Sequence, residues 1–407
     1  MPGKFTNHIV SINDELYNYL NDVNYGMNIP QFHHLTTVVS GLINIDGTKS
    51  LSKISRNILN SKGSSSIYRF LSQAKWNHRL IDRNRINYLK LHLDRFIKPE
   101  SVGFLVIDDT VNPKTQAKKM QGLSYNHCHT EGKNLLSHCV VTSNLVAGDI
   151  SIPLNYKSYF SKENCTIHHK TFMSKSDISI EFVNFFEKPS NCDKIYCLVD
   201  SWYTSERLTY SCLTNGLNII SALKSNRKIS PLGITMQIKE FAKYIDSATL
   251  DVVTINGIEY RVYRYEGKVS KIENAIALIC YEVDGDNFKP PVYILSTDIE
   301  LSNEDIIRFY LNRWSIETNY KYLKTYLGFD EYKVQSILSI ERYFLITFLA
   351  INFLEIYRLH NLEKLRTIGD SISFIKSLSA TELVRFVYEQ ARNNIPIKLA
   401  NLSKKLK

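Results

Sequence analysis

Cysteine is sparse and unordered in this chain: seven residues among 407, an odd number, with no CxxC pair. That pattern excludes a disulfide scaffold and argues against a paired-ligand zinc module. The opening MPGKFTNHIVSINDEL has no apolar core of the kind a secretion signal needs. Together these features predict a reducing, cytoplasmic setting with free thiols. No apolar run reaches the ~20 residues that span a bilayer. The most apolar stretch, YFLITFLAINFLEI from Tyr343, is bounded by Arg342 and Glu355 and predicts a buried core helix, so no membrane partner is expected. Internal repeats and low-complexity segments are missing, as are a Gly-rich phosphate loop and the elbow motif of a Ser-His-Asp hydrolase. His127, Cys128, His129, His138 and Cys139 lie close in sequence. Their spacing is not a common tetrahedral zinc pattern, and His138 and Cys139 fall inside a predicted strand.

What is present describes a soluble globular protein, with 44% hydrophobic and 22% charged residues, long enough for two or three domains. The net charge of +10 is unevenly placed: residues 51–100 hold eleven Lys/Arg against three Asp/Glu. A localised basic patch is the usual footprint of a nucleic-acid partner, because each phosphate contact releases counterions. A generally lysine-rich composition is the bland alternative.

Residues 1–100 read as helical, with Ile81, Ile86, Leu89, Leu93 and Phe96 near one face of IDRNRINYLKLHLDRFI. This layout suits a small DNA-binding module and, equally, a plain helical bundle. Pro99 marks a boundary. GFLVIDDT and DKIYCLVDSW are apolar runs rich in β-formers that end in acids. LLSHCVVTSNLVAGDISIPLNYKSYF predicts a hairpin around Ala147, Gly148 and Asp149; SDISIEFVNFFEK and SERLTYSCLTNG predict helices; NIISALK predicts another strand. Strands, a helix, then a strand and a helix, with acids at strand ends, is the order of an RNase H-like α/β core over 101–224. Residues 225–300 predict a β-rich insertion, with Asn256-Gly257 as the strongest hairpin signal. Core completion follows over 301–360, then a C-terminal helical region over 361–407 that ends in the basic tail NLSKKLK.

The segment SNEDIIRFYLNRWSIETNYKYLKTYLG predicts one helix, capped by Ser302 with Asp305 three residues on and closed by Gly328. At about 100° per residue, Arg313, Glu317 and Lys324 fall near roughly 300°, 340° and 320° from Tyr310. The four share one stripe about 60° wide. Ile307, Leu311, Trp314 and Tyr322 border it on one side, and Ile316, Leu323, Leu327 and Tyr320 on the other. A carboxylate between cations, framed by apolar residues, suggests a cleft for a metal and a phosphate; surface pairs at i,i+4 are the ordinary alternative. Trp314 is expected in the core, and Trp202 is a weaker candidate for substrate contact.

The gaps between Tyr310, Arg313, Glu317 and Lys324 reproduce the Y-R-E-K signature in type and spacing. In this the chain resembles bacterial insertion-sequence transposases of the DDE class, over roughly residues 35–360. The resemblance implies an RNase H-like catalytic core interrupted by a β-rich insertion, between N-terminal and C-terminal helices. It implies three catalytic, metal-binding carboxylates: Asp109 ending one strand, Asp200 ending another, and Glu317 on the late helix. Family motifs place the first Asp directly before Thr, which selects Asp109 and leaves Asp108 as the alternate. Carboxylate oxygens suit two Mg²⁺ or Mn²⁺ ions, which can activate an attacking oxygen and stabilise a leaving one. Arg313 and Lys324 are then expected at DNA phosphates, and Tyr310 at a phosphate or stacked on an unpaired base. Lys114 and Lys133 follow the first acid, Lys133 within TEGKNLL, which resembles a family segment; both are nonetheless expected to be solvated. The implied partners are terminal inverted repeats and target DNA, engaged by a homodimer in the synaptic complex. Two other readings stay open: a transposase-derived DNA-binding protein without catalysis, and a metal-dependent nuclease that cuts without joining.

Overall fold

The structure, a computed structural model, describes residues 8–128, 131–285 and 287–393. The tail NLSKKLK and His129 lie outside the described residues. The chain opens with helices α1 (Asp14–Val23), α2 (Ile29–Asn44), α3 (Leu51–Asn57), α4 (Ser64–Ser72) and α5 (His78–Leu93). Strands β1 (Ser101–Pro113), β2 (Ser124–Cys128), β3 (Lys133–Ala147) and β4 (Ile150–Tyr159) follow. Then come α6 (Lys162–Ile167), α7 (Lys175–Asn184), β5 (Cys192–Val199), α8 (Glu206–Thr214) and β6 (Asn218–Ala222). The predicted insertion contains β7 (Lys228–Ile229), β8 (Met236–Gln237), α9 (Ile238–Phe241), β9 (Asp251–Ile255), β10 (Ile258–Val269), β11 (Ile272–Asp284), β12 (Asn287–Phe288) and β13 (Val292–Ser296). The chain returns through α10 (Asn303–Leu311), α11 (Trp314–Lys321), α12 (Ile337–Leu359) and α13 (Ile368–Arg392).

One mixed sheet runs β2-β3-β1-β5-β6-β13-β11-β10-β7-β8. β1 lies antiparallel to β3 and parallel to β5, and β5 lies parallel to β6. This is the mixed sheet with helices at both ends that an RNase H-like core requires. The β-rich insertion interrupts the sequence but not the sheet: β13 bonds to β6 on one side and β11 on the other. Both predicted hairpin turns use left-handed backbone, at Gly148 (φ 55°) and at Asn256 and Gly257 (φ 51° and 80°), which Asn and Gly tolerate best.

Neighbouring residues on a strand point to opposite faces, and on β1 both faces are buried. Leu105 and Ile107 join the core that includes Ile178 of α7 and Leu208 of α8. Phe104 and Val106 join the core that includes Ile306, Ile307 and Ile316 of α10 and α11. The Phe104 ring meets Phe309 edge-on at 5.3 Å. The sheet is therefore sandwiched, with α10–α11 on one side and α7–α8 on the other.

The N-terminal and C-terminal helices form one helical mass. Arg342 of α12 donates to the carbonyls of Phe70, Leu71, Ala74 and Trp76 at 2.8–3.3 Å, closing the end of α4. Arg85 of α5, fully buried, donates to Asn352 Oδ1 and Leu154 O, both at 2.7 Å, and pairs with Asp82. By length and composition α12 could cross a membrane, but 83% of its apolar window is buried within the molecule, which makes it a core helix. The seven cysteines are all buried and form no disulfide among the described residues.

Candidate active site

The expected single helix over 302–327 is broken in two places. Ser302 caps α10 as predicted, its side chain accepting from Asp305 N. The helix stops at Leu311 because Asn312 Nδ2 donates to Arg308 O (3.1 Å) and Phe309 O (3.2 Å), competing with the backbone for those carbonyls. Arg313 N and Ser315 N then bond three residues back, to Tyr310 O and Asn312 O, and α11 begins at Trp314. At its other end α11 passes into a π-turn over Tyr322–Tyr326. The breaks rotate the stripe. Trp314, expected in the core, is 63% exposed, and Leu311 is exposed as well.

Arg313 is the hub of what remains. Its guanidinium contacts Glu317 Oε1 at 2.9 Å and Asp108 Oδ2 at 3.2 Å. Burial opposes its charge, yet Tyr310, Asp108 and Glu317 outweigh burial and raise its proton affinity. Tyr310 is half-buried above the same charges. Burial, helped by Asp200 and Asp108, raises its phenol out of reach of physiological pH, although Arg313 pulls the other way.

Asp108 lies on the α10–α11 face of β1 with Phe104 and Val106. The parallel register pairs Val106 with Leu198, so two residues further on Asp108 stands abreast of Asp200, just past the end of β5. Burial first, then the Asp200 and Asp109 carboxylates, push Asp108 up to about 7, against the pull of the Asp109 N–H and Arg313. Asp200 Oδ1 accepts from the backbone N–H groups of Trp202 (2.9 Å) and Tyr203 (3.1 Å), which fixes its turn.

Asp109 points to the other face. Its Oδ1 accepts from Tyr203 Oη at 2.8 Å, and its Oδ2 from Lys175 Nζ at 2.7 Å and Cys139 Sγ at 3.2 Å. Burial pulls the Lys175 ammonium down, but Cys139 and Asp109 hold it above its ordinary range. This cluster was invisible in the sequence. Lys175 reads as an ordinary first-turn residue after the Ser174 cap, and Tyr203 as a turn residue.

Lys324 donates to Val111 O at 2.8 Å, tying the π-turn to the end of β1. Burial lowers its proton affinity, with Asp330 opposing. Lys114, expected to be solvated, donates to the carbonyls of Asp330 and Tyr332 instead and sits 3.8 Å from the Tyr332 ring centre. Of the His/Cys cluster, His138 bridges Tyr332 Oη (2.7 Å) and Gln121 O (2.8 Å), a structural role. Trp202 is 51% exposed with Lys175 5.3 Å from its ring. Thus Asp108, Arg313, Glu317 and Tyr310 converge with Asp200 nearby, while Asp109 stands apart and Lys324 braces the strand below.

Among the described residues, no three acid, His or Cys side chains stand close enough to share one metal ion. Arg313 bridges Asp108 and Glu317 in that space. The donor set is nonetheless all carboxylate, which suits hard divalent cations. Burial first, then the neighbouring carboxylates, push the Asp108 carboxyl up to about 7 despite its arginine contact, and a divalent cation bound there would favour its charged form.

A family model described as DDE superfamily endonuclease matches residues 22–236, more than half of the chain. A second, described as transposase DDE domain, matches residues 179–353. Asp108 and Asp109 fall in the first match, Glu317 in the second, and Asp200 in both. No curated protein matches the chain.

Proposed function

This chain belongs to the DDE superfamily of endonucleases and transposases, and on that premise we propose that it is a DNA transposase. It binds the ends of its own element, cleaves them by hydrolysis and joins the freed 3′-hydroxyl to target DNA. The observation that carries this reading is the convergence on β1: Asp108 abreast of Asp200, with Arg313 linking Asp108 to Glu317.

Asp108, Asp200 and Glu317 are the carboxylates that would hold Mg²⁺ or Mn²⁺. Two such ions, when bound, neutralise phosphate charge and activate the attacking oxygen. The sequence motif selects Asp109 for the first position; the contacts of the two neighbours favour Asp108. Closing the site requires Glu317 to approach the strand ends. The break at Asn312–Arg313 and the π-turn give α11 a hinge at each end for that motion.

The remaining work is positioning and charge, which dominate phosphoryl transfer. Arg313 leaves Asp108 to clamp the scissile phosphate with its planar fork. Tyr310, held as a neutral phenol, donates to a phosphate oxygen. Lys324 keeps the end of β1 in place. Two copies of the chain bring two ends together, in the cytoplasm where the DNA lies.

The test is a supercoiled-plasmid assay with Mg²⁺, with and without the inverted ends that flank the gene. End-dependent cutting and joining are expected, and Glu317→Gln should bind the ends yet leave the plasmid intact. Cutting regardless of end sequence would make the protein a nuclease, and binding without cutting a DNA-binding protein. Retained cleavage by Glu317→Gln would overturn the site itself.

A further inference from the structure

Two hollows share a wall formed by residues 331–333. One, of about 440 Å³, is walled by α3, α4 and residues 331–334. The other, of about 650 Å³, lies between the loop 113–120 and residues 330–335. Glu331, Tyr332 and Lys333 line both, so the two make a two-part groove along one wall, from the N-terminal helices to the end of β1.

The groove is basic, and its charge is unspent. Lys49, Arg69, Lys114, Lys118, Lys119 and Lys333 line it, against the acids Asp330 and Glu331. Arg69, Lys118, Lys119 and Lys333 are exposed, and none forms an ion pair among the described residues. Glu331 is turned inward, its carboxylate accepting from Lys49 N. Ser64 and Ser65 add hydroxyls to the wall beside Arg69. The floor is rigid because Lys114 ties the loop to Asp330 and Tyr332, while Asn112 Nδ2 donates to Phe329 O at 3.2 Å.

Position supplies the rest of the argument. The loop at Lys118 and Lys119 follows directly from β1, which carries Asp108. Five residues of strand separate Asp108 from Pro113, roughly 17 Å at the rise of a β-strand. That is also about five base-pair steps of duplex. A duplex whose scissile phosphate sits over Asp108 and whose axis follows β1 would bring its backbone to this groove.

We infer that the groove is a docking surface for the phosphate backbone of double-stranded DNA about five base pairs from the cut, read through Arg69, Lys118, Lys119 and Lys333. This deepens the proposed transposase reading and rests on it. Because the contacts are to phosphate, the surface is indifferent to base sequence.

The test measures binding of a fluorescein-labelled duplex of arbitrary sequence by anisotropy across a salt series. The full chain is compared with the variant Arg69→Gln/Lys118→Gln/Lys119→Gln/Lys333→Gln. Each lost phosphate contact lowers the slope of log K against log[salt] by roughly 0.9, so a drop of roughly 3 to 4 is expected for the four. Neutralising Lys98 and Lys239, exposed cations outside the groove, should change the slope by less than roughly one unit. Circular dichroism and melting confirm that the variant is folded. A fourfold variant with the wild-type slope, in a protein that still cleaves element ends, would sink the groove alone. A wild-type chain that binds no DNA would overturn both the groove and the transposase reading.

Discussion

Asp108 and Asp109 are adjacent, chemically identical and on the same strand, yet the fold gives them opposite circumstances. Asp108 faces α10–α11 with one guanidinium contact, a second carboxylate abreast of it and a proton affinity pushed up to about 7. Asp109 faces α7–α8 and is saturated: an ammonium, a phenol and a thiol all donate to it. One side of the strand leaves its carboxylate with a single guanidinium, and the other surrounds its carboxylate with three donors. A carboxylate that is to take up a cation has to be left hungry, whereas a carboxylate that holds structure has to be satisfied. The difference arises from the strand's two-residue period and from which helices cover which face.

The largest effect separates the two acids by activity. Asp108→Asn should lower Mg²⁺-dependent plasmid cleavage by about 10³-fold or more, the scale on which charge-stabilising groups act in phosphoryl transfer. Asp109→Asn should retain measurable cleavage, its losses following the folded fraction. Single-turnover cleavage at matched folded protein makes the comparison. Equal abolition by both would erase the distinction, and the reverse order would return the first position to Asp109.

A second contrast appears in stability against pH. Asp108 has a raised proton affinity in the folded chain, so its contribution is complete below the unfolded value near 4 and disappears as pH rises through about 7. Between about pH 5 and about pH 8 this amounts to a decline on the order of 2 kcal/mol. Denaturant midpoints should show that decline in the wild type and lose it in Asp108→Asn. Asp109→Asn should behave differently: a loss of about 2 kcal/mol for its charged hydrogen bonds, with the pH trend retained. A parallel pH trend in the wild type and Asp108→Asn would show that the strained charge lies elsewhere.

Much of this architecture was legible in the chain and some of it was not. The hairpin turns at Gly148 and at Asn256-Gly257 were readable because φ > 0 leaves few residue choices. The strand ending at Val199, just before Asp200, announced itself by an apolar run before an acid; β1 was legible as a strand but not in length, since it continues past Asp109, expected at its end, to Pro113. The late helix was readable in extent but not in continuity, since Asn312 is a tolerable helix residue until its amide takes the Arg308 and Phe309 carbonyls. That break also carried Trp314 to the surface. The choice between Asp108 and Asp109 was out of reach because β1 is buried on both faces, so no polar–apolar alternation marks which side meets Glu317. The place of β13 between β6 and β11 was equally hidden, being fixed by pairings between distant segments.

The smallest effect probes how completely Asp109 is satisfied. Tyr203 lies just beyond the Asp200 turn and donates its hydroxyl to Asp109 Oδ1 at 2.8 Å, while Lys175 and Cys139 hold Oδ2. Tyr203→Phe removes one donor and leaves the ring and the ion pair in place, so a loss of about 1 kcal/mol is expected. In a double-mutant cycle with Asp109→Asn, the two losses should sum to more than the loss in the combined variant, because both report the same contact. Strict additivity would mean that the phenol and the carboxylate do not interact in solution. Cleavage by Tyr203→Phe should stay within a few-fold of the wild type, since the bond braces the face of β1 turned away from Asp108. A collapse of cleavage with stability preserved would place the Asp109 face in the chemistry and undo the division of labour between the neighbouring acids.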